Sequence, residues 1–294
     1  MDGPRYDAFV PSSRTLFACD EFAVGEFHCP PQDPAWSQEN SVGPGRHVVF
    51  PGTGVLIAQD GRDPVVADPN HVVLYEDHQT YRRELVSAQG DHCVFVIPSP
   101  TFLRQLTGGL DTEVPFSSAW APADGKAYLL QRQAVRYLRD VPEPAPDVVR
   151  ESFYEALRRV VGRVLPAARV RRPGTERDHR EAVEAAKAFL AVHATERLLL
   201  DDVAAHVHLS PFHLSRIFKE RTGSTVHAYL NQLRLRGALL RLDDGEDLTT
   251  VALDHGFASH AHFSGSFSAG FGVTPSQVRG EASKILEALR VRTP

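Results

Sequence analysis

The chain has 294 residues, 42% of them hydrophobic, enough to build two domains with cores of their own. Its formal charge of −5, with fourteen basic against fifteen acidic side chains over residues 175–294, excludes a nucleic-acid binder held by bulk charge; any such contact must be local and salt-sensitive. Three cysteines, an odd number in so long a chain, exclude a disulfide framework, and no basic segment leads into an apolar run of secretory or membrane-spanning type, so the expectation is a cytoplasmic protein with no membrane partner.

Up to about residue 120, short β-branched runs alternate with Gly, Pro and Asp. HVVF before Pro51, GVLIAQ before Asp60, HVVLY after Asn70, YRRELVSA before Gly90 and HCVFVI before Pro98 are each of strand length and bounded by turn residues, the rhythm of an all-β sandwich or barrel. Two dipeptides, His28-Cys29 and His92-Cys93, lie near the ends of this region. Neighbouring residues in a strand point to opposite faces, so each dipeptide sends only one group inward. Two readings stay open: Cys29 and Cys93 are ordinary buried thiols, or they face one another as a soft-metal or redox site completed by a histidine such as His47, with His92 as a further candidate. No cofactor is required by the first. Pro30, Pro31, Pro34 and Trp36 are expected to form a loop bordering the pocket, and Tyr75, Tyr81, Arg82 and Arg83 supply groups nearby in sequence suited to an anionic or aromatic small molecule.

Two helices are expected next. Lys126–Asp140 carries Ala127, Leu130, Ala134 and Leu138 on one face, and after the break VPEPAPD, Asp147 stands ready to cap a second helix. Its stripe of Val149, Phe153, Ala156, Leu157, Val160 and Val164 must be buried against something. Packing back onto the β domain is one account; the other, implied by the family resemblance described below, is that Val149, Phe153, Leu157, Val160 and Val164 meet a second copy in a homodimer. A basic linker bounded by Pro and Gly follows.

From Leu200 the pattern changes to paired helices. Val203, Ala204 and Val207 make a short apolar stripe, His208 and Leu209 a turn, Ser210 an N-cap and Pro211 a first helical residue that brings no N–H to be left unpaired. Leu214, Ile217 and Phe218 then face inward, which leaves Phe212, His213, Ser215, Arg216 and Lys219 outward. A short turn between two helices, the second presenting polar N-terminal residues, is the helix-turn-helix arrangement. It recurs: Leu248 to Gly272 overlays Leu200 to Gly223 with one extra turn residue, so that Ser210 falls on Ser259, Leu214 on Phe263, Phe218 on Phe267 and Gly223 on Gly272. Thr225 to Leu242 is amphipathic and spaces the two units.

The block LSPFHLSRIFKERTG, the spacer YLNQLRLRGALLRL and the run VALDHGFASHAHFSGSFSAGFGVTPSQVR make residues 178–280 resemble the AraC/XylS family of bacterial transcription regulators. The resemblance implies seven helices, with the third and sixth in the DNA groove, contacting it through Phe212, Ser215 and Arg216 and through His260, Ala261, Ser264 and Gly265. It also implies a cupin-like all-β jelly roll ahead of them that binds an unknown small effector, double-stranded DNA as partner, and RNA polymerase as a further partner for an activator. Enzymes of the cupin kind share an H-x-H, then Glu, then His set; His47, His71, His78 and His92 offer no such spacing, so no catalytic residue is assigned and an enzyme is not expected. Gly265 and Ser268 depart from the family pattern, which has Arg and Lys there. Gly265 either weakens base reading or lets the backbone approach a phosphate.

The expected architecture is α+β and multidomain: a cupin-like effector-sensing domain over 1–122, a helical dimerisation segment over 123–166, a linker over 167–177 and a double helix-turn-helix DNA-binding domain over 178–294. The expected function is effector-responsive, sequence-specific transcription regulation. Alternatives are an effector-independent DNA-binding repressor and a thiol- or metal-responsive regulator using Cys29 and Cys93.

Overall fold

Strands form where the β-branched runs stand. In the computed structural model, which describes residues 12–106, 116, 118–161, 173–242, 246–280, 282 and 284–286, these are β4 (His47–Pro51), β5 (Val55–Gln59), β7 (His71–Tyr75), β8 (Thr80–Leu85) and β9 (Asp91–Pro98). Five further strands lack so clear a run: β1 (Ser12–Ala18), β2 (Phe22–Cys29), β3 (Asn40–Ser41), β6 (Val65–Ala67) and β10 (Trp120–Pro122). In β2 the apolar alternation is broken by Gly25 and Glu26, and β3, β6 and β10 are two or three residues long.

The strands make two antiparallel sheets, one of six in the order β1-β2-β9-β4-β7-β10 and one of four in the order β3-β8-β5-β6. They face each other, because Val55, Ile57, Val65 and Ala67 of the smaller sheet share one buried cluster with Val73 and Tyr75 of the larger. Trp36 and Trp120 pack against that cluster. Trp36 is held by a short 3-10 turn, Pro34–Ser37, which Asp33 caps; its indole N–H donates to the Pro30 carbonyl at 2.7 Å.

The helices are α1 (Pro100–Leu106), α2 (Gly125–Asp140), α3 (Pro146–Val161), α4 (Pro173–Val192), α5 (Leu200–His206), α6 (Pro211–Thr222), α7 (Val226–Leu242), α8 (Leu248–Asp254), α9 (His260–Phe271) and α10 (Pro275–Val278). Among the described residues none is long and apolar enough to cross a membrane. The chain divides into two compact units, Met1–Ala123 with Leu157–Ala168 and Asp124–Ala156 with Arg169–Pro294.

The second unit therefore owns α2, which the sequence grouped with a separate dimerisation segment. Asp124 caps α2 by accepting from the Ala127 N–H at 2.7 Å. At the first helical residue, Gly125, the backbone passes so close to the Gly270 carbonyl of α9 that a Cβ would collide with it. Further along, Arg136 donates to the Val278 carbonyl at 2.9 Å, and Arg236 of α7 lies over the Tyr128 ring at 5.1 Å.

Three expectations change. Asp147 stands inside the first turn of α3 and is not its cap, since the helix begins at Pro146. Val149, Phe153, Leu157 and Val160 are fully buried within a single chain, which leaves that stripe no surface for the expected dimer contact; Val164 lies outside the described residues. Finally, α4 begins at Pro173, inside the stretch expected to be linker.

Candidate nucleic-acid interface and small-molecule cavity

Each helix-turn-helix is set by local chemistry that the sequence shows directly. Ser210 accepts from the His213 N–H and Ser259 from the His262 N–H, both at 3.2 Å, so α6 and α9 start on matching caps. Both end on a left-handed glycine, Gly223 at φ 73° and Gly272 at φ 78°. The turns match as well. His208 (φ 55°) in the first unit and Gly256 (φ 72°) in the second are both left-handed, and the next residue in each, Leu209 or Phe257, donates at 3.0 Å to Ala204 or Ala252. The repeat is thus one of backbone conformation as well as of sequence.

Behind each recognition helix sits a packed apolar face. Leu214, Ile217 and Phe218 join Val203, Ala204, Val226, Tyr229, Leu230 and Leu233 in one core. In the second unit four phenylalanines do this work: Phe257 to Phe263, Phe263 to Phe267 and Phe267 to Phe271 have ring centroids 5.2, 5.5 and 4.6 Å apart.

The outward faces differ in chemistry. On α6, Phe212 is 82% exposed, and Arg216 and Lys219 are exposed beside it, with Arg216 loosely paired to Glu220 at 3.7 Å. A ring this bare at the second residue of a recognition helix suits contact with a thymine methyl, and an arginine one turn on suits a guanine edge. Two of the expected contacts turn aside. His213 is half-buried with its Nε2 at 3.3 Å from Nε2 of His179 on α4, and Ser215 lines a cleft with Leu199, Leu200 and Val226. On α9, His260, Ala261 and Gly265 are exposed, Ser264 is half-buried 3.3 Å from the His260 imidazole, and His260–Phe271 contains no lysine or arginine.

Nothing lies within 4 Å of where a Cβ on Gly265 would be, so the position is open. Gly265→Ala is expected to stabilise the helix by about 1 kcal/mol, measured by thermal denaturation. Gly265→Arg is expected to tighten DNA binding and to steepen its salt dependence by about one unit of log-log slope in a titration across salt concentrations. If instead Gly265 serves close backbone approach to a phosphate, Gly265→Ala weakens DNA binding despite stabilising the fold.

Between the two sheets of the β unit lies a cavity of about 300 Å³, walled by residues such as Phe27, Val49, Val55, Ile57, Val73 and Phe95. His47, Tyr75, Tyr81, Asp91 and Cys93 add its polar groups. Tyr75 and Tyr81, singled out from the sequence, do reach it. Arg82 does not: it is exposed and 3.8 Å from Glu39. Arg83 is buried beside the cavity, bound to Asp91 at 3.1 Å and to Asn40 at 3.3 Å, with its guanidinium over the rings of Phe27 and Trp36. Asp91 escaped the sequence reading. It has the same parity in β9 as Cys93 and Phe95, and a carboxylate at an inward position is the signal that marks it.

The thiol and metal set does not assemble as drawn. Cys29 and Cys93 both face inward, but the Cys29 thiol donates to the neighbouring Pro30 carbonyl at 3.8 Å. Burial pushes the Cys29 thiol up to about 11 and the Cys93 thiol well above its ordinary value, the reverse of a ready thiolate. His92 pairs with His28 across β2 and β9, ring centroids 6.0 Å apart, on the face opposite Cys93. Among the described residues no group of three or more His, Cys, Asp or Glu is placed to hold a metal ion.

Compared with known proteins, residues 203–281 match the helix-turn-helix domain family. The regulatory protein PocR of Salmonella typhimurium is 29% identical over 107 residues, 36% of this chain and 35% of that protein. The HTH-type transcriptional regulator MtrA of Neisseria gonorrhoeae is 36% identical over 86 residues, 29% of each. A crystal structure of an AraC-type regulator from Chromobacterium violaceum is 30% identical, covers 38% of this chain and 96% of that one, and has a TM-score of 0.32. The chain spans 13% to 35% of the length of the curated relatives it matches first.

Proposed function

We propose that this chain, whose residues 203–281 match the helix-turn-helix domain family, is a DNA-binding transcription regulator of AraC type whose helices α6 and α9 enter successive major-groove faces. The observation that carries the reading is the doubled unit, with the same caps, turn and C-terminal glycine placed twice around α7. The first unit supplies the cations and the exposed Phe212; the second, without a cation on α9, contributes position more than base reading.

The β unit acts as the sensor. Its cavity, apolar with a few convergent polar groups, is of the kind that binds small molecules, and occupancy biases how the helix-turn-helix pair is presented to DNA. This favours effector control over a constitutive DNA-binding repressor.

The test is selection of bound sites from a random DNA pool with the full chain and Arg216→Ala side by side. The wild type is expected to enrich a bipartite site. Arg216→Ala is expected to lose about 1–3 kcal/mol of binding and to relax the preference at one base pair only. Absence of any enriched site, with and without candidate effectors, overturns the reading.

A further inference from the structure

The groups facing the cavity state which chemistry it accepts. His47 sits with Nδ1 at 2.8 Å from the Gly45 carbonyl, and a carbonyl only accepts, so Nδ1 carries the proton and Nε2 presents a lone pair. Burial holds this imidazole below its ordinary pKa, which keeps it neutral. Directly across the β4–β7 pairing stands Tyr75, 5% exposed, whose ring lies 5.1 Å from that of Tyr81. Both tyrosine side chains line the cavity, where their hydroxyls are open to a ligand. A phenol hydroxyl both donates and accepts, so a ligand oxygen placed against it gains a hydrogen bond inside an otherwise apolar wall.

The charges are already matched. Asp91 is bound to Arg83, whose guanidinium also meets Asn40 and two aromatic faces; its Nε is left without a hydrogen-bond partner among the described residues, but Arg83 does not line the cavity. Burial raises the Cys93 thiol and both phenols, so they stay protonated. An incoming carboxylate would therefore shed its hydration beside Asp91 with no lysine or arginine among the described lining residues to receive it. The volume sets the size. A 150 Å³ apolar cavity holds benzene, so about 300 Å³ suits on the order of a dozen non-hydrogen atoms.

We propose that the cavity binds an uncharged, ring-bearing hydroxyl compound of phenol or aryl-alcohol type, its hydroxyl donating to His47 Nε2 and accepting from the Tyr75 hydroxyl, its ring between Phe27, Val49, Ile57 and Phe95. This deepens the sensor reading above and rests on it. Recognition comes from one amphiprotic oxygen on a flat apolar body, and a negative charge on the same body is rejected.

The experiment is calorimetric titration of the full chain at pH 7 with β-naphthol and with β-naphthoate, which share a ring system and differ in charge. β-Naphthol is expected to bind about tenfold tighter or more. Tyr75→Phe is expected to weaken β-naphthol by about tenfold while leaving the thermal midpoint and the selected DNA site unchanged. Tyr81→Phe provides the second variant should Tyr75→Phe lower the midpoint, with the same direction expected. Equal or tighter binding of β-naphthoate overturns the proposal, as does β-naphthol affinity indifferent to both tyrosine variants. If neither probe binds while the chain still selects a DNA site, the proposal falls and the regulator reading stands. A chain that selects no DNA but separates the two probes as stated loses the regulator reading and keeps this one.

Discussion

Replacing Arg83 with methionine is expected to destabilise the β unit by about 3–5 kcal/mol, the cost of leaving one member of a buried ion pair alone. Arg83 is 2% exposed, and its partner Asp91 already has a pKa raised by burial, held back by the guanidinium. Without Arg83 the carboxyl must take up a proton or draw in water, and Phe27 and Trp36 lose the cation lying on their rings. The double variant Arg83→Met with Asp91→Leu removes both charges and is expected to recover most of the loss, since apolar groups of similar volume can replace a buried pair. Urea denaturation followed by tryptophan fluorescence measures both, because Trp36 and Trp120 pack against the core beside the cavity. A double variant no better than the single one would mean that the pair is held for its hydrogen bonds to Asn40 and not for charge balance.

The second large effect is expected in the helical unit. Phe263→Ala should cost about 3–5 kcal/mol, because the ring is fully buried between Phe257 and Phe267 and its removal leaves a cavity. The functional consequence is local. Phe263 lies three residues beyond the start of α9, so its loss loosens the second recognition helix while the first keeps its own core of Leu214, Ile217 and Phe218. Nuclease footprinting is then expected to show protection shrinking to one half of the site. Loss of protection over both halves together would show that the two units fold as one.

These expectations draw unevenly on what the sequence states outright. The helix-turn-helix units can be read residue by residue because their determinants are local: a serine cap, a proline after it, an i, i+3, i+4 stripe and a terminal glycine all lie within one turn of what they control. The second family of determinants is long-range. That Asp91 meets Arg83, or His47 meets Tyr75, depends on which strands pair and in what register, and no local pattern holds that information. The stripe on α3 illustrates the same limit from the other side. Its periodicity requires burial of Val149, Phe153, Leu157 and Val160, and burial is what occurs, but periodicity does not name the surface that covers them. For the DNA face, exposure of Phe212 and Arg216 follows from the helical period, whereas the turning aside of His213 needed the position of His179 on another helix.

The close passage of Gly125 over Gly270 bears on how this protein can be taken apart. A fragment started at Pro173 would carry both helix-turn-helix units yet arrive without the helix that lies over Gly270 and offers Tyr128 to Arg236. Because Leu157–Ala168 of the first unit lies between the two stretches of the second, no single cut separates the two units cleanly, and grafts of the DNA-reading half onto another sensor are best begun ahead of Asp124.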